Sequence, residues 1–321
     1  MNTAQPQLGS VLAAGGPELI DLLGRTEERL AEVADDHGAA LGRYAGDTLA
    51  AGGKRLRPML VFLSASGPDE RLVAAGVAVE LLHMATLVHD DVLDAAELRR
   101  GRPTVFAEGG RGAATATGDL LFSRAFAELA ATGSEEAVRA LSTASSALAR
   151  GELMQRADAW SEDVTPERYL ERCRLKTASL FEASCRLGAL FGERADLADP
   201  LGRFGERLGV AFQLLDDVLD VLGPPERTGK PRGTDLLDGT VTLPLILARR
   251  SDPSLSGAVR CAEEASAFCD RIAATGALEE ARDQALAHVS EAKAVLDRLD
   301  LSERRRNALQ LVADGVVERY A

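Results

Sequence analysis

The pentapeptide Asp-Asp-Val-Leu-Asp occurs twice in this chain, at residues 90–94 and 216–220. In a helix the first and last aspartates of each copy lie four residues apart, on one face, about 6 Å from each other along the axis. Carboxylates held so close repel one another unless a cation sits between them. Oxygen ligands without histidine or cysteine favour Mg2+ or Mn2+ over zinc. Mg2+ seldom takes an all-protein cage; it keeps waters and bridges one or two carboxylates to phosphate oxygens. Two such acidic helices facing each other would therefore grip a diphosphate through several ions. A solvated acidic face is the plainer reading of any single pair. Here, however, Val88, Val92 and Leu93 surround the acids of the first copy, and Leu214, Leu215, Val218 and Leu219 those of the second. Acids within a buried stretch are costly unless something neutralises them.

Basic residues gather in two places: Lys54, Arg55 and Arg57 within a glycine turn, and Arg99, Arg100 and Arg102 just past the first acidic motif. The planar fork of arginine suits phosphate oxygens. These clusters stand out in a chain with 37 Lys and Arg against 50 Asp and Glu, a net charge of −13. Such an acidic balance repels nucleic-acid phosphate and argues against that class of partner.

The elements that must carry these residues are helices. Hydrophobic residues make up 46% of the 321 and aromatics only 4%, and good helix formers fill long stretches, so the expected class is all-α. Residues 1–16 are expected to be a mobile leader, and helical spacing begins at Pro17. A long helix is expected from Asp69 to Arg99, ended by Gly101-Arg102-Pro103. Gly109, Gly110 and Gly112 mark a loop, with the next helix starting near Gly118. Further helices are expected over 135–159, 166–191 and 198–222, then a Gly/Pro-rich loop over 223–239 and helical periodicity from 240 onward. No composition shift divides the chain, so one domain is expected over 17–321. The start lacks a basic segment before its short apolar stretch, which speaks against a signal peptide. No run of about 18 apolar residues suggests a transmembrane segment. Cys173, Cys185, Cys261 and Cys269 show no CxxC spacing, so neither a disulfide framework nor a zinc site is expected, and a cytoplasmic location fits.

Five segments in order resemble the trans-isoprenyl (polyprenyl) diphosphate synthase family: GGKRLRP at 52–58, ELLHMATLVHDDVLDAAELRRGRPT at 80–104, KT at 176–177, FQLLDDVLD at 212–220 and GKPRGTDLLDGTVTLP at 229–244. The resemblance implies a single-domain helical bundle around a deep central cavity, working as a homodimer with three Mg2+ ions that Mn2+ can replace. Position by position, it implies that Asp90, Asp94 and Asp216 bind metal, with Asp91, Asp217 and Asp220 assisting through waters or from behind. Lys54, Arg57, His83 and Arg100 would hold isopentenyl diphosphate. Arg99, Lys176 and Lys230 would contact the allylic diphosphate. Lys176, Thr177 and Gln213 would serve the reacting centre, and Phe212 would pack against substrate. One departure stands out: the family often has lysine after the glycine of its last motif, where this chain has Gly239-Thr240. Lys230 and Arg232 are the cations at hand to compensate.

The implied reaction is ionisation of an allylic diphosphate, attack by the double bond of isopentenyl diphosphate, and loss of a proton. It needs no nucleophile–base pair, and none is evident in the sequence; the 223–239 loop is a candidate lid. Ala85 and Thr86, five and four residues before Asp90, are expected to form a small-residue floor that leaves room for a geranylgeranyl or longer product, with Thr143–Ala147 lining the same tunnel. A class I terpene cyclase would share the first acidic motif but not the second. His89-Asp90 alone suggests a metal-dependent phosphohydrolase, which would need more histidines than His37, His83 and His288 supply. A non-catalytic partner subunit of a heteromeric synthase would be expected to have lost its acidic motifs.

Overall fold

The computed structural model describes residues 4–35, 38–50, 53–99, 101–192, 194–223 and 232–318. Helix α1 runs Ala4–Asp35 and bends at Gly16, whose φ of 72° lies in the left-handed region that glycine adopts at little cost. The leader expected over 1–16 is thus helical from Ala4, and Val11 within it is buried at 5% exposure. An apolar residue with a core to reach holds that segment down.

Helices α2 (Ala39–Ala50) and α3 (Leu56–Ser64) lead to α4 (Arg71–Leu93). By length and a mean hydropathy of 1.7, α4 could cross a membrane, yet 67% of its apolar window is buried within the protein. It is apolar on nearly every side because α1, α3, α5 and α8 surround it (the last two described below). The helix stops six residues short of the expected Arg99. Asp94 closes it, donating its N–H to the Asp90 carbonyl at 2.8 Å, and Ala95 turns the chain with a φ of 50°. Left-handed backbone costs an alanine about 1–2 kcal/mol, a term invisible to composition. The chain then folds back as a short hairpin, β1 (Leu98–Arg99) against β2 (Arg102–Pro103), around Gly101.

Thr104 caps α5 (Val105–Ala131), accepting the Ala107 N–H at 3.0 Å. The loop expected at Gly109–Gly112 is only a kink within α5, at Gly110. Helix α6 spans Glu135–Ala157, close to the expected 135–159. The expected 166–191 helix is three pieces in register: α7 (Pro166–Cys173), a π turn at Arg174–Ala178, and α8 (Ser179–Phe191). Helix α9 spans Ala198–Leu222, as the periodicity indicated. Then come a short α10 (Thr234–Leu237), α11 (Leu243–Ser251), α12 (Ala262–Ala273), α13 (Ala277–Asp297) and α14 (Glu303–Glu318).

Helix α8, with Leu180, Phe181, Cys185, Leu187 and Phe191 fully buried, is the hub against which α3, α4, α6 and α9 pack. The π turn just before it is gripped from two sides. A Cβ on Gly151 of α6 would come within 2.5 Å of the Lys176 backbone nitrogen, and one on Gly209 of α9 within 2.6 Å of the Ala178 Cα. Only glycine permits these approaches. The protein is all-α, with the two-residue hairpin as its one pair of strands among the described residues.

Candidate active site

The first acidic motif occupies the C-terminal end of α4 and draws its partners from the hairpin and α6. Asp91 is buried and accepts a 2.8 Å hydrogen bond from Arg99 Nε, which the turn at Ala95 and Gly101 brings back over it. Asp94, exposed at the helix end, pairs with Arg156 Nη2 at 2.6 Å. Arg156 Nε in turn donates to Glu152 Oε1 at 2.8 Å, and the other oxygen of Glu152 accepts from the Lys176 ammonium. Asp90 sits half-buried between these groups. Burial is the main cause that pushes its carboxyl up to about 6; the Lys176 and Arg99 charges oppose the shift, while Glu152 and Asp94 add to it.

The second acidic motif lies inside α9 and is held by neutral donors. Asp217 is buried, with Tyr169 Oη donating to Oδ2 at 2.6 Å and Gln213 Nε2 donating to Oδ1 at 2.7 Å. Burial raises its carboxyl above the ordinary range, against those hydrogen bonds. Asp220, also buried, accepts the Asp235 N–H at 3.2 Å, while its own carbonyl accepts the Gly233 N–H at 2.8 Å. The segment after residue 231 is thereby tied to the acidic motif. Asp216 is half-buried beside them.

The π turn joins the two motifs. Lys176 reaches the Asp90 side through Glu152, and Thr177 donates to Gln213 Oε1 at 2.7 Å, one hydrogen bond from Asp217. Inserting a residue into a helix turn re-aims consecutive side chains, which is a common reason for π turns at functional sites. Behind them Arg57 lies over the Phe181 ring, 4.9 Å from its centroid, and Phe181 packs at a tilt of 43° against Phe212, centroids 5.5 Å apart. Among the described residues no three of His, Cys, Asp and Glu form a closed ion cage. The carboxylates that are present suit a hard cation that keeps waters and takes its remaining ligands from phosphate. Asp90, raised by burial and like charge, is an anion that a cation would relieve.

The structure thus brings together Asp90, Asp91, Asp94, Arg99, Lys176, Thr177, Gln213 and Asp217. Lys54 is exposed and His83 half-buried, one on the turn before α3 and the other on α4. Arg100 and Lys230, expected as diphosphate contacts, and residues 224–231 of the 223–239 segment lie outside the described residues. Several expectations need correction. Arg55, grouped with the phosphate-binding cations, is buried and bonded to Glu27 at 2.5 Å, Glu80 at 2.7 Å and the Leu49 carbonyl at 3.0 Å, so it is a structural residue. Arg232 donates to the Val221 carbonyl at 3.1 Å and pairs with Asp270 at 2.9 Å, which commits its guanidinium to α9 and α12. Ala85 has 0% exposure and opens on no space; of the two floor residues only Thr86 is partly open. Thr143 and Ser146 are exposed and line no interior tunnel. His89 pairs with Asp119 of α5 at 3.2 Å, which leaves the phosphohydrolase reading without support. A cavity of about 230 Å³ lies beside the first motif, lined by Asp91 and Arg99 with Tyr44, Met84, Leu87 and Val88 among others.

Glu152, Arg156, Tyr169 and Arg172 escaped the sequence reading. A signal was available for one of them: Tyr169, Cys173 and Thr177 recur every four residues, which places them on one face. Nothing local in the sequence announces the other three.

A family model described as polyprenyl synthetase matches residues 39–270. The chain is 40% identical over 297 residues to heptaprenyl diphosphate synthase component 2 of Geobacillus stearothermophilus, covering 89% of this chain and 92% of the relative. To the geranylgeranyl diphosphate synthase of Methanosarcina mazei it is 35% identical over 282 residues, 84% of this chain and 86% of that one. Among solved structures, a polyprenyl synthase from Caulobacter crescentus CB15 complexed with calcium and isoprenyl diphosphate superposes with a TM-score of 0.90 at 32% identity, over 98% of each chain. Heptaprenyl diphosphate synthase from Staphylococcus aureus gives 0.89 at 30% identity, over 94% of this chain and 99% of that one.

Proposed function

Because the chain belongs to the polyprenyl synthetase family, we propose that this prenyltransferase condenses isopentenyl diphosphate with an allylic diphosphate. The product on this reading is an all-trans polyprenyl diphosphate of geranylgeranyl length or longer. The observation that carries the reading is the meeting of both acidic motifs at one turn: Lys176 bonded to Glu152 beside Asp90, Thr177 bonded to Gln213 beside Asp217. Asp90, Asp94 and Asp216 would hold Mg2+, with Asp91, Asp217 and Asp220 behind them. When bound, the ions neutralise the charge that develops on the departing diphosphate. A relative crystallised with calcium and isoprenyl diphosphate supports a divalent cation in that role.

Lys176 and Arg99 add fixed positive charge toward the same leaving group. Lys54, Arg57 and His83 would hold the second diphosphate, and the Phe181–Phe212 ring pair beside Arg57 helps keep water from the allylic cation. Thr86, small and half-buried one turn before Asp90, leaves room for a lengthening tail. Two relatives bear the name component 2, which favours a second reading in which this chain works together with another polypeptide. Both acidic motifs are whole, so on that reading too this chain would carry the chemistry. The test is to incubate the purified full chain with Mg2+, isopentenyl diphosphate and each allylic diphosphate of five to twenty carbons. The expected result is an all-trans product of at least twenty carbons. Absence of product from every primer would overturn the catalytic reading of the chain acting alone.

A further inference from the structure

Taking the proposed condensation as the reaction on which this rests, we infer that Tyr169 is a positioning residue that sets the orientation of Gln213 and Thr177 through Asp217. The Tyr169 ring has 0% exposure, and its hydroxyl donates to Asp217 Oδ2 at 2.6 Å from a different helix, 48 residues away in the chain. The other oxygen, Oδ1, accepts the Gln213 amide Nε2 at 2.7 Å. An ionised carboxylate can only accept, so its neighbour must present the NH2 end of the Gln213 amide. That leaves Gln213 Oε1 turned the other way, where the Thr177 hydroxyl donates to it at 2.7 Å. One phenol thus fixes a directional chain of three hydrogen bonds, Tyr169 to Asp217, Gln213 to Asp217, and Thr177 to Gln213.

The anchor itself is well held. Thr165 caps α7 and Pro166 opens it. Arg172, buried on the same helix, donates to the Val241 carbonyl at 2.7 Å and lies 5.2 Å from the centroid of the Tyr169 ring. The phenol therefore has little freedom to follow Asp217 if the carboxylate turns. Without the hydroxyl, Asp217 Oδ2 loses its donor, and a buried acceptor left short is costly. The carboxylate would rotate toward another donor, Gln213 would lose its fixed target, and the amide could flip. Gln213 and Thr177 would then no longer face the reacting carbons in one orientation. Loss of orientation lowers the rate of the chemical step more than it lowers binding.

The experiment compares wild type, Tyr169→Phe and Tyr169→Leu as full chains, each by steady-state kinetics for both diphosphates and by thermal melting. Tyr169→Phe keeps the ring and removes only the hydroxyl. It is expected to lower kcat about tenfold or more, to leave both KM values within about twofold, and to melt within about 3 °C of wild type. Tyr169→Leu is expected to melt lower still, because it also empties part of the core, with KM again within about twofold. A Tyr169→Phe kcat within twofold of wild type would overturn the inference. So would a kcat loss in Tyr169→Phe that comes with a proportional rise in KM and a large fall in melting temperature, the pattern of a merely structural residue. A silent wild type would instead sink the proposed condensation, and this inference with it.

Discussion

The two Asp-Asp-Val-Leu-Asp segments are identical in sequence and differ in almost everything around them. In the first copy the middle acid, Asp91, is held by a guanidinium, Arg99; in the second the same position, Asp217, is held by a phenol and an amide. The last acid of the first copy is exposed and paired with Arg156, whereas Asp220 is buried and takes a backbone N–H. The first copy ends its helix; the second sits within α9, which continues to Leu222. One motif is therefore braced by charge as its helix ends and the other by neutral donors within the last turns of α9. Charged braces give way when a competing cation or anion arrives, while neutral ones in a buried setting are directional and rigid. The same five residues thus furnish an adaptable side and a fixed side of one site.

The largest effect expected from breaking this arrangement is on turnover. Asp90→Ala removes the acid on which the Lys176 and Glu152 charges both act and is expected to lower kcat by roughly 10³-fold, the scale of a lost electrostatic group at a reacting centre. Its circular dichroism should remain that of the folded helical protein, since the side chain is half-buried and caps nothing. Condensation at a near wild-type rate would show that the first motif is not the one the chemistry depends on.

Stability should respond unequally at the two motifs. Burial raises the Asp90 carboxyl from its ordinary 3.8 to about 6, so the folded state binds its proton more tightly than the unfolded state does. The corresponding stability is fully present below pH about 4 and is lost as the pH rises through 6, at most about 3 kcal/mol in all. At pH 7 the ionised acid is a liability, and Asp90→Asn is expected to raise the melting temperature by roughly 2–4 °C, a gain that vanishes near pH 4. Asp217→Asn should gain less. Burial raises its carboxyl too, so removing the charge brings the same relief, but the amide leaves one acceptor oxygen for two buried donors, Tyr169 and Gln213, at a cost of about 1–2 kcal/mol. Melting curves of both variants at pH 4 and pH 7 test the contrast; a gain at Asp217 equal to that at Asp90 at pH 7 would erase it.

How much of this was legible beforehand follows from where each signal lies along the chain. Helix α9 could be bounded from its uninterrupted periodicity, and the acidic pairs could be placed on one face because an i, i+4 relation is local. The end of α4 could not be read, since it depends on a left-handed Ala95 and on residues that are polar in either conformation. The three glycines of α5 have the composition of a loop, yet only Gly110 leaves helical geometry. Thr177 and Gln213 came from the motif resemblance. Tyr169, which holds Asp217, and Arg156, which braces Asp94, lie on helices 48 and 62 residues away from the acids they touch. Contacts at that separation are set by how helices pack, for which the residue that mattered was Gly151, drawing α6 onto the π turn.

The smallest effect expected is at Arg156, and it bears most directly on the adaptable side. Its pair with Asp94 is between side chains exposed at 37% and 31%, where ion pairs contribute about 0–1 kcal/mol and salt screens them. Arg156→Leu is therefore expected to shift the melting temperature by no more than about 1–2 °C. Its consequence should instead be electrostatic. With the guanidinium gone, Asp94 no longer has a resident counter-charge that an incoming cation must displace, and Glu152 keeps only Lys176. The Mg2+ concentration giving half-maximal turnover is expected to fall about two- to threefold, and added salt, which already weakens this pair in the wild type, should narrow the gap between the two proteins. A variant that needs more Mg2+ than wild type would mean that Arg156 organises Asp94 for the metal rather than competing with it. The first motif would then be as rigidly braced as the second.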